Sequence, residues 1–154
     1  VRFHGMTHHY ETRLSWRGET SSYEQYTRRW TIDIDGKPSL PGTADTHFRG
    51  DPALHNPEDL LLAALSSCHC LTYLALCARH GVTVLTYTDR ATATMTAQFD
   101  HVMLRPEVGI TNGAHRELAL SLHHEAHEQC FIARTVRCPV EHEPSVVVAA
   151  EEVS

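Results

Sequence analysis

The chain has 154 residues and carries 13 lysines and arginines against 19 aspartates and glutamates, which gives a formal net charge of −6. Because these charges form no basic stripe, we expect neither nucleic acid nor an anionic membrane surface as a partner. Hydrophobic residues at 42% and charged residues at 21% are typical of a globular protein, and the length predicts one domain over residues 1–154.

The N-terminal region and the cysteines indicate the compartment. Residues 1–16 are polar and rich in histidine, without the apolar segment of a signal peptide, and residues 1–9 are predicted to be flexible. The five cysteines are odd in number and widely spaced, unlike those of a secreted disulfide scaffold. We therefore expect a cytoplasmic protein whose thiols remain free to react.

Short strands and turns are predicted for the N-terminal third of the chain. Polar and apolar residues alternate over Arg13–Trp16 and again over Trp30–Asp35, which indicates two half-buried strands. The Asp35-Gly36 pair is a hairpin signal, and Leu40–Gly42 is predicted to form a further turn before a polar loop at residues 43–56.

A long helix is the clearest predicted element. Asn56 is a favourable N-cap, Pro57 fits the first helical position and Gly81 is a natural stop, so the helix has about 24 residues and a length of about 36 Å. Residues 60–78 contain no charged side chain, a length close to that of a membrane span. Because residues 66–70 are mostly polar, we predict a buried central helix instead.

The remaining elements complete an α+β fold. Strict alternation over residues 85–99 predicts one long strand, and a second strand is predicted over residues 102–110. A second helix is predicted over about residues 114–129, followed by closing strands at residues 136–140 and 146–148. We expect antiparallel sheets that wrap the long helix.

The candidate chemistry begins at the middle of the long helix. Cys68 follows Ser66 and Ser67 and precedes His69, so polar groups stand where a plain core helix would have none and must find partners. Another thiol, Cys130, falls where the second helix is predicted to end. Two thiols can carry out redox chemistry together when a cation lowers the pKa of one thiol and the other thiol traps its oxidised form.

The other cysteines and the nearby cations receive separate interpretations. Cys70 and Cys77 are seven residues apart, share a helix face turned away from Cys68, and are predicted to be packing residues. The tandem Arg28-Arg29 offers candidate cations for a thiolate.

Several of these segments resemble one family in the same order. The stretch Asn56–Leu60, followed by Ala63–Cys68, resembles the osmotically induced (OsmC) and organic hydroperoxide resistance (Ohr) proteins, in which an Asn-Pro-Glu helix start leads to a reactive cysteine. The similarity extends to Tyr26–Arg28, to the strand Tyr87–Met95, and to the helix that leads to Cys130. The adjoining Cys68-His69-Cys70 departs from the plainer pattern and indicates a divergent branch.

The resemblance implies a thiol peroxidase that reduces organic hydroperoxides without a metal or an organic cofactor. Matched by position, Cys68 is similar to the peroxidatic cysteine, Cys130 to the resolving one, Arg28 to the activating arginine and Glu58 to the carboxylate that orients it. A dithiol, for example a lipoylated protein, is implied as reductant. The alternative function is a non-catalytic protein of the same fold that binds a small apolar ligand at a dimer interface.

Geometry adds a constraint on the predicted site. Glu58 and Cys68 are ten residues apart on one helix, which is about 15 Å, so Arg28 must bridge them or the carboxylate must come from a second subunit. Family members are intertwined homodimers, so the resemblance implies the same here.

Two assignments stay open in the sequence. Cys138 precedes a proline and a small residue, as the family's resolving cysteine often does, but its strand-like alternation with neighbouring valines favours Cys130. Arg29 is the alternative to Arg28 as the activating cation.

The histidines invite a metal interpretation that we do not favour. His123 and His127 lie one turn apart, but the adjacent glutamate does not follow the first histidine as it does in zinc proteases, and no third ligand is evident. We predict surface residues and no metal site. His69 is a candidate supporting residue beside Cys68.

Overall fold

The computed structural model describes residues 5–149. Within this range the chain divides into two compact units, residues 5–61 and residues 62–149. The first four residues of the segment predicted to be flexible lie outside the described range. The one-domain organisation stays a prediction.

The first unit contains a three-stranded antiparallel sheet in the order β1-β2-β3. Its strands are β1 (Arg13–Trp16), β2 (Trp30–Asp33) and β3 (Leu40–Gly42). The predicted turn at Asp35-Gly36 is confirmed, and Gly36 supplies its positive φ of 77°.

The turn predicted at Leu40–Gly42 is wrong, because this segment is itself the strand β3. Proline is tolerated there since β3 is an edge strand. Gly42 pairs with Trp30, and a β-carbon at Gly42 would lie 2.1 Å from the Trp30 ring. The indole Nε1–H donates to the carbonyl of Thr43 at 3.0 Å, which fixes the ring over the glycine.

The helix α1 (Pro57–Arg79) begins and ends as predicted. At its start the Asp59 amide donates to the Asn56 side-chain oxygen at 2.8 Å, and the Asn56 amide donates to the Asp59 carboxylate at 3.2 Å. At its end Gly81 has a φ of 73°, and the amide of Val82 donates to the carbonyl of Cys77 at 2.9 Å. Both ends are therefore fixed by local side chains and a glycine.

By length and composition, α1 is the one helix in residues 5–149 that would suit a membrane crossing, and about a third of its most apolar stretch is buried. The buried side chains of α1 form one stripe, and Leu71 on another face is 68% exposed. Within residues 5–149, α1 is therefore buried along one stripe rather than on every face.

The second unit contains two three-stranded sheets, β4-β7-β9 and β5-β6-β8. Their strands are β4 (Val84–Asp89), β5 (Thr92–Met95), β6 (Phe99–Leu104), β7 (Pro106–Ile110), β8 (Val140–His142) and β9 (Ser145–Val148). The pairs β4–β7 and β5–β6 are antiparallel, whereas β7–β9 and β6–β8 are parallel. The α+β class is confirmed, and the sheets of this unit add a parallel pair to each predicted antiparallel pair.

Three predicted strands have different bounds in the structure. The strand over residues 85–99 is divided between β4 and β5, which belong to different sheets, and the least exposed side chains of both strands are only half-buried. The strand over residues 102–110 is divided before Pro106, which has no amide to donate and begins β7. Of residues 136–140 only Val140 is in a strand.

Two further helices follow. The first is α2 (Arg116–Gln129), which corresponds to the helix predicted over about residues 114–129, and the second is the short α3 (Phe131–Thr135), which was not predicted. Side chains from α1, α2 and the β4-β7-β9 sheet form the main core of this unit. Its members are Tyr73, Leu76, Cys77, Val82, Val108, Ile110, Ala119, Leu122, Ala126 and Val146.

Replacing Gly42 by alanine should destabilise the protein by about 1–3 kcal/mol, because the new methyl group overlaps a tryptophan ring that is held in place. Urea unfolding measures the loss. Gly113→Ala is the matched control, since its β-carbon would meet only a Val148 methyl group at 3.6 Å. Equal stability of the two variants would contradict the packing described for Trp30.

Candidate functional site

The polar residues in the middle of α1 find partners in the second unit. The Ser66 hydroxyl donates to the Asp89 carboxylate at 2.5 Å, and the other Asp89 oxygen accepts the Arg105 amide at 2.6 Å. The Ser67 hydroxyl donates to the Ala64 carbonyl of the preceding turn. These bonds satisfy the serines and fix the turn that carries Cys68.

Cys68 and Cys130 are brought together in the structure. Cys68 is half-buried in the middle of α1, and Cys130 is buried at the junction of α2 and α3. The two thiols are close enough for Cys68 to affect the protonation of Cys130, and both are reduced. Burial, and then the hydrogen bond with Cys68, raises the pKa of the Cys130 thiol to about 11, so Cys130 is protonated at neutral pH.

A groove opens beside Cys68. It has a volume of about 360 Å³, and its surface is mostly apolar. It is lined by Ala64, Ser67, Cys68, Leu71, Thr72, Phe131 and Ile132. Since Cys68 lines the groove and Cys130 is 1% exposed, a molecule in the groove meets Cys68 first.

Arg28 is held by aromatic rings in the first unit. Its guanidinium carbon lies 3.6 Å from the centre of the Tyr26 ring and 4.8 Å from that of Tyr23. The guanidinium also donates to the backbone carbonyls of both tyrosines. These contacts fix the direction of the cation. The side chain of Arg29 lines a separate groove with Trp16 and Arg17.

Glu58 lies in the first turn of α1. One of its carboxylate oxygens is buried without a hydrogen-bond partner, and no ion pair joins Glu58 to Arg28 within residues 5–149. The role assigned to Glu58 stays a prediction.

The remaining three cysteines are Cys70, Cys77 and Cys138. Burial raises the pKa of Cys70 and of Cys77, and Cys77 is 1% exposed in the core. Cys138 is half-buried in the bend before β8 rather than in a strand, so the alternation that favoured Cys130 over it does not describe the backbone there.

Sequence reasoning missed a buried pair of histidines. Nε2 of His69 lies 3.0 Å from Nδ1 of His123, and the parallel rings are stacked with centres 5.4 Å apart. His123 is therefore a core residue, contrary to the surface position predicted for it. Its burial could have been found from the 3.6-residue pattern of α2, where it lies one position after Leu122 and three before Ala126.

Further histidines extend this pair toward the surface. The rings of His69, His123, His124 and His127 all lie within 6.5 Å of the His142 ring. Within residues 5–149, no group of three or more His, Cys, Asp or Glu side chains is arranged to hold a metal ion. Burial, and then the charges of neighbouring histidines, lowers the pKa of His69 to about 4 and that of His123 to about 3.

Acidification should destabilise the fold as the pH falls below the ordinary histidine pKa of 6.5 toward about 4. The unfolded chain takes up protons in this range and the folded pair does not, so stability is complete above pH 6.5 and is lost by up to about 1.4 kcal/mol per pH unit and histidine. Urea unfolding between about pH 7.5 and about pH 5 measures this slope.

The double variant His69→Gln/His123→Asn should show a smaller slope, because neither amide titrates. His124→Gln, on the exposed side of α2, is the control and should retain the wild-type slope. A wild-type slope in the double variant would show that other groups cause the pH dependence.

Comparisons with known proteins agree with the fold and the order of these elements. The family model of OsmC-like proteins matches residues 50–145. The structure of an OsmC-like protein of unknown function from Vibrio cholerae is 29% identical, with a TM-score of 0.80, and the match covers 90% of this chain and 99% of that one. No curated protein sequence matches significantly.

Two more distant structures share the fold. An organic hydroperoxide resistance protein from Legionella pneumophila is 21% identical with a TM-score of 0.57, and the match covers 92% of this chain and all of that one. The organic hydroperoxide resistance protein OhrB of Bacillus subtilis is 16% identical with a TM-score of 0.55, covering 90% of this chain and 98% of that one.

Proposed function

Because the chain belongs to the OsmC-like protein family, we propose that it is a thiol-dependent peroxidase that reduces organic hydroperoxides. The observation that carries the proposal is the contact between the Cys68 and Cys130 thiols beside an apolar groove. Solved relatives named as organic hydroperoxide resistance proteins share the fold and support the same reading.

The proposed reaction has two steps on the enzyme. The Cys68 thiolate attacks the outer oxygen of the hydroperoxide, the O–O bond breaks, and the alkoxide leaves and takes up a proton as an alcohol. Cys68 is now a sulfenic acid, two electrons more oxidised. Cys130 loses its proton and attacks the Cys68 sulfur, which releases water and forms a disulfide.

The surroundings of the thiols support this division of roles. Cys68 lines the groove, so it meets the peroxide, whereas Cys130 lies behind it, buried and with a raised pKa. A protonated thiol is a poor nucleophile toward peroxide but is well placed to trap a sulfenic acid that forms beside it.

The groove supports a preference for hydroperoxides with an apolar substituent. Leu71, Phe131 and Ile132 on its walls would contact a hydrocarbon or aryl group while the peroxide faces Cys68. Hydrogen peroxide has no such group and would gain nothing from these walls.

Arg28 is proposed as the cation that stabilises the thiolate and the departing oxygen, with Glu58 as the carboxylate that orients it. A guanidinium stays charged and can hold two oxygen or sulfur atoms at once. The tyrosine contacts of Arg28 support this role, since they fix the guanidinium before substrate arrives.

The assembly and the reductant are also proposals. A homodimer would cover the apolar faces of α1 that the chain leaves open, such as the face that carries Leu71. A cytoplasmic dithiol, for example a lipoylated protein, would reduce the Cys68–Cys130 disulfide by thiol exchange and complete the cycle.

Cys68→Ser should abolish turnover of cumene hydroperoxide with dihydrolipoamide, because the nucleophile is lost. Cys130→Ser should still form a sulfenic acid at Cys68 but no intramolecular disulfide, as read by mass spectrometry of alkylated peptides. Cys138→Ser is the matched control and should cycle normally. Disulfide formation that depends on Cys138 would reassign the resolving cysteine.

No turnover and no sulfenic acid in the wild type would refute the peroxidase proposal. The groove would then favour the alternative, a protein that binds a small apolar ligand.

Arg28→Ala should slow the oxidation of Cys68 by about a hundredfold, the usual cost of removing one preorganised donor from a developing anion. Stopped-flow measurement of single-turnover thiol loss reads this step directly. Arg29→Ala removes the neighbouring cation and should leave the rate within about twofold of the wild type. The reverse order of effects would make Arg29 the activating residue.

A further inference from the structure

We propose that the hydrogen-bonded pair His69–His123 is a positioning device that sets the register of α1 against α2 and so holds Cys130 in reach of Cys68. The inference rests on the resolving role proposed for Cys130. Both histidines act through the placement of the cysteines and are therefore positioning residues.

The contacts between the two helices form a ladder that runs antiparallel. The Tyr73 hydroxyl on α1 donates to the Ala119 carbonyl on α2 at 2.9 Å. One turn along each helix, His69 meets His123 at 3.0 Å. Beyond the pair, Cys68 is the next residue toward the start of α1, and Cys130 follows the last residue of α2. Of the two polar bonds in this ladder, the histidine pair is thus the nearer to both cysteines.

The burial and polarity of the two histidines indicate a role beyond filling space. His69 is 1% exposed and His123 is fully buried, and each keeps one ring nitrogen, Nδ1 of His69 and Nε2 of His123, without a hydrogen-bond partner. Leaving such atoms unsatisfied costs about 1–3 kcal/mol each, which two leucines would avoid. A hydrogen bond, unlike an apolar contact, fixes the axial position of one helix relative to the other.

When both rings are neutral, one N–H···N hydrogen bond can join them. One ring donates and the other accepts, and a second proton would set two N–H groups against each other. The titratable side chains that face the pair are Tyr73 on α1, His127 on α2 and His142 on β8, with His124 beyond His142. These groups supply no negative charge at neutral pH, so the neutral bond is maintained.

Disulfide formation is sensitive to register. The β-carbons of a disulfide lie about 3.5–4.5 Å apart, and a departure from this geometry stores strain that makes the bond easier to reduce. Since Cys68 is adjacent to His69 in α1 and Cys130 ends the helix that carries His123, a slip of α1 along α2 would move one thiol past the other.

The test is the equilibrium constant for the Cys68–Cys130 disulfide in full-length protein, measured in dithiothreitol redox buffers with mass spectrometry of alkylated peptides. The double variant His69→Leu/His123→Leu removes the bond and leaves no unsatisfied polar atom. We expect it to be at least as stable as the wild type, while its disulfide constant falls by about tenfold or more because the disulfide is strained. His69→Gln/His123→Asn keeps a donor and an acceptor at matching positions and should restore the constant to within about twofold.

A wild-type disulfide constant in the leucine variant, with His124→Gln as control, overturns the inference. Loss of stability and of the disulfide in equal measure, without rescue by the amide variant, also overturns it, because the pair would then be merely structural. The measurement uses no peroxide, so a wild type that forms the disulfide but consumes no cumene hydroperoxide would refute the proposed function and leave this inference standing.

Discussion

The meeting of α1 and α2 inside the second unit is the constraint on which the candidate site depends. Cys68 lies in α1 and Cys130 directly follows α2, far away in sequence, so the two thiols stay close only while these helices keep their relative position. A hydroxyl-to-carbonyl bond from Tyr73 and the imidazole pair hold them, with small side chains such as Ala119 and Ala126 fully buried on α2. Polar bonds and close packing thus both hold α1 against α2.

The structure places the two thiols, which are identical functional groups, in different environments. Cys68 lines a groove, whereas the burial of Cys130 favours its neutral form. Neither property belongs to cysteine itself, and both follow from which helix carries the residue and how deeply that helix places it. Burial also raises the pKa values of Cys70 and Cys77 on α1.

Features governed by local chemistry were predictable from sequence, and features governed by distant contacts were not. The bounds of α1 followed from Asn56 and Gly81, because caps involve residues within one turn. The division between β4 and β5 was missed, since alternation continues although the partner sheet changes. The His69–His123 pair spans 54 positions, and nothing in either segment alone indicates the other. Cys130 was proposed from resemblance, and its contact with Cys68 required the structure.

Asp89 joins three segments through one side chain, so the groups that it binds can be used to monitor this part of the molecule. Its two oxygens accept the Ser66 hydroxyl and the Arg105 amide, so the turn before Cys68 is tied to the junction of β6 and β7. Any movement of that turn weakens the hydrogen bond that the Arg105 amide donates to Asp89. The hydrogen–deuterium exchange rate and the NMR chemical shift of the Arg105 amide would therefore report events at the cysteine from a residue that takes no part in the chemistry.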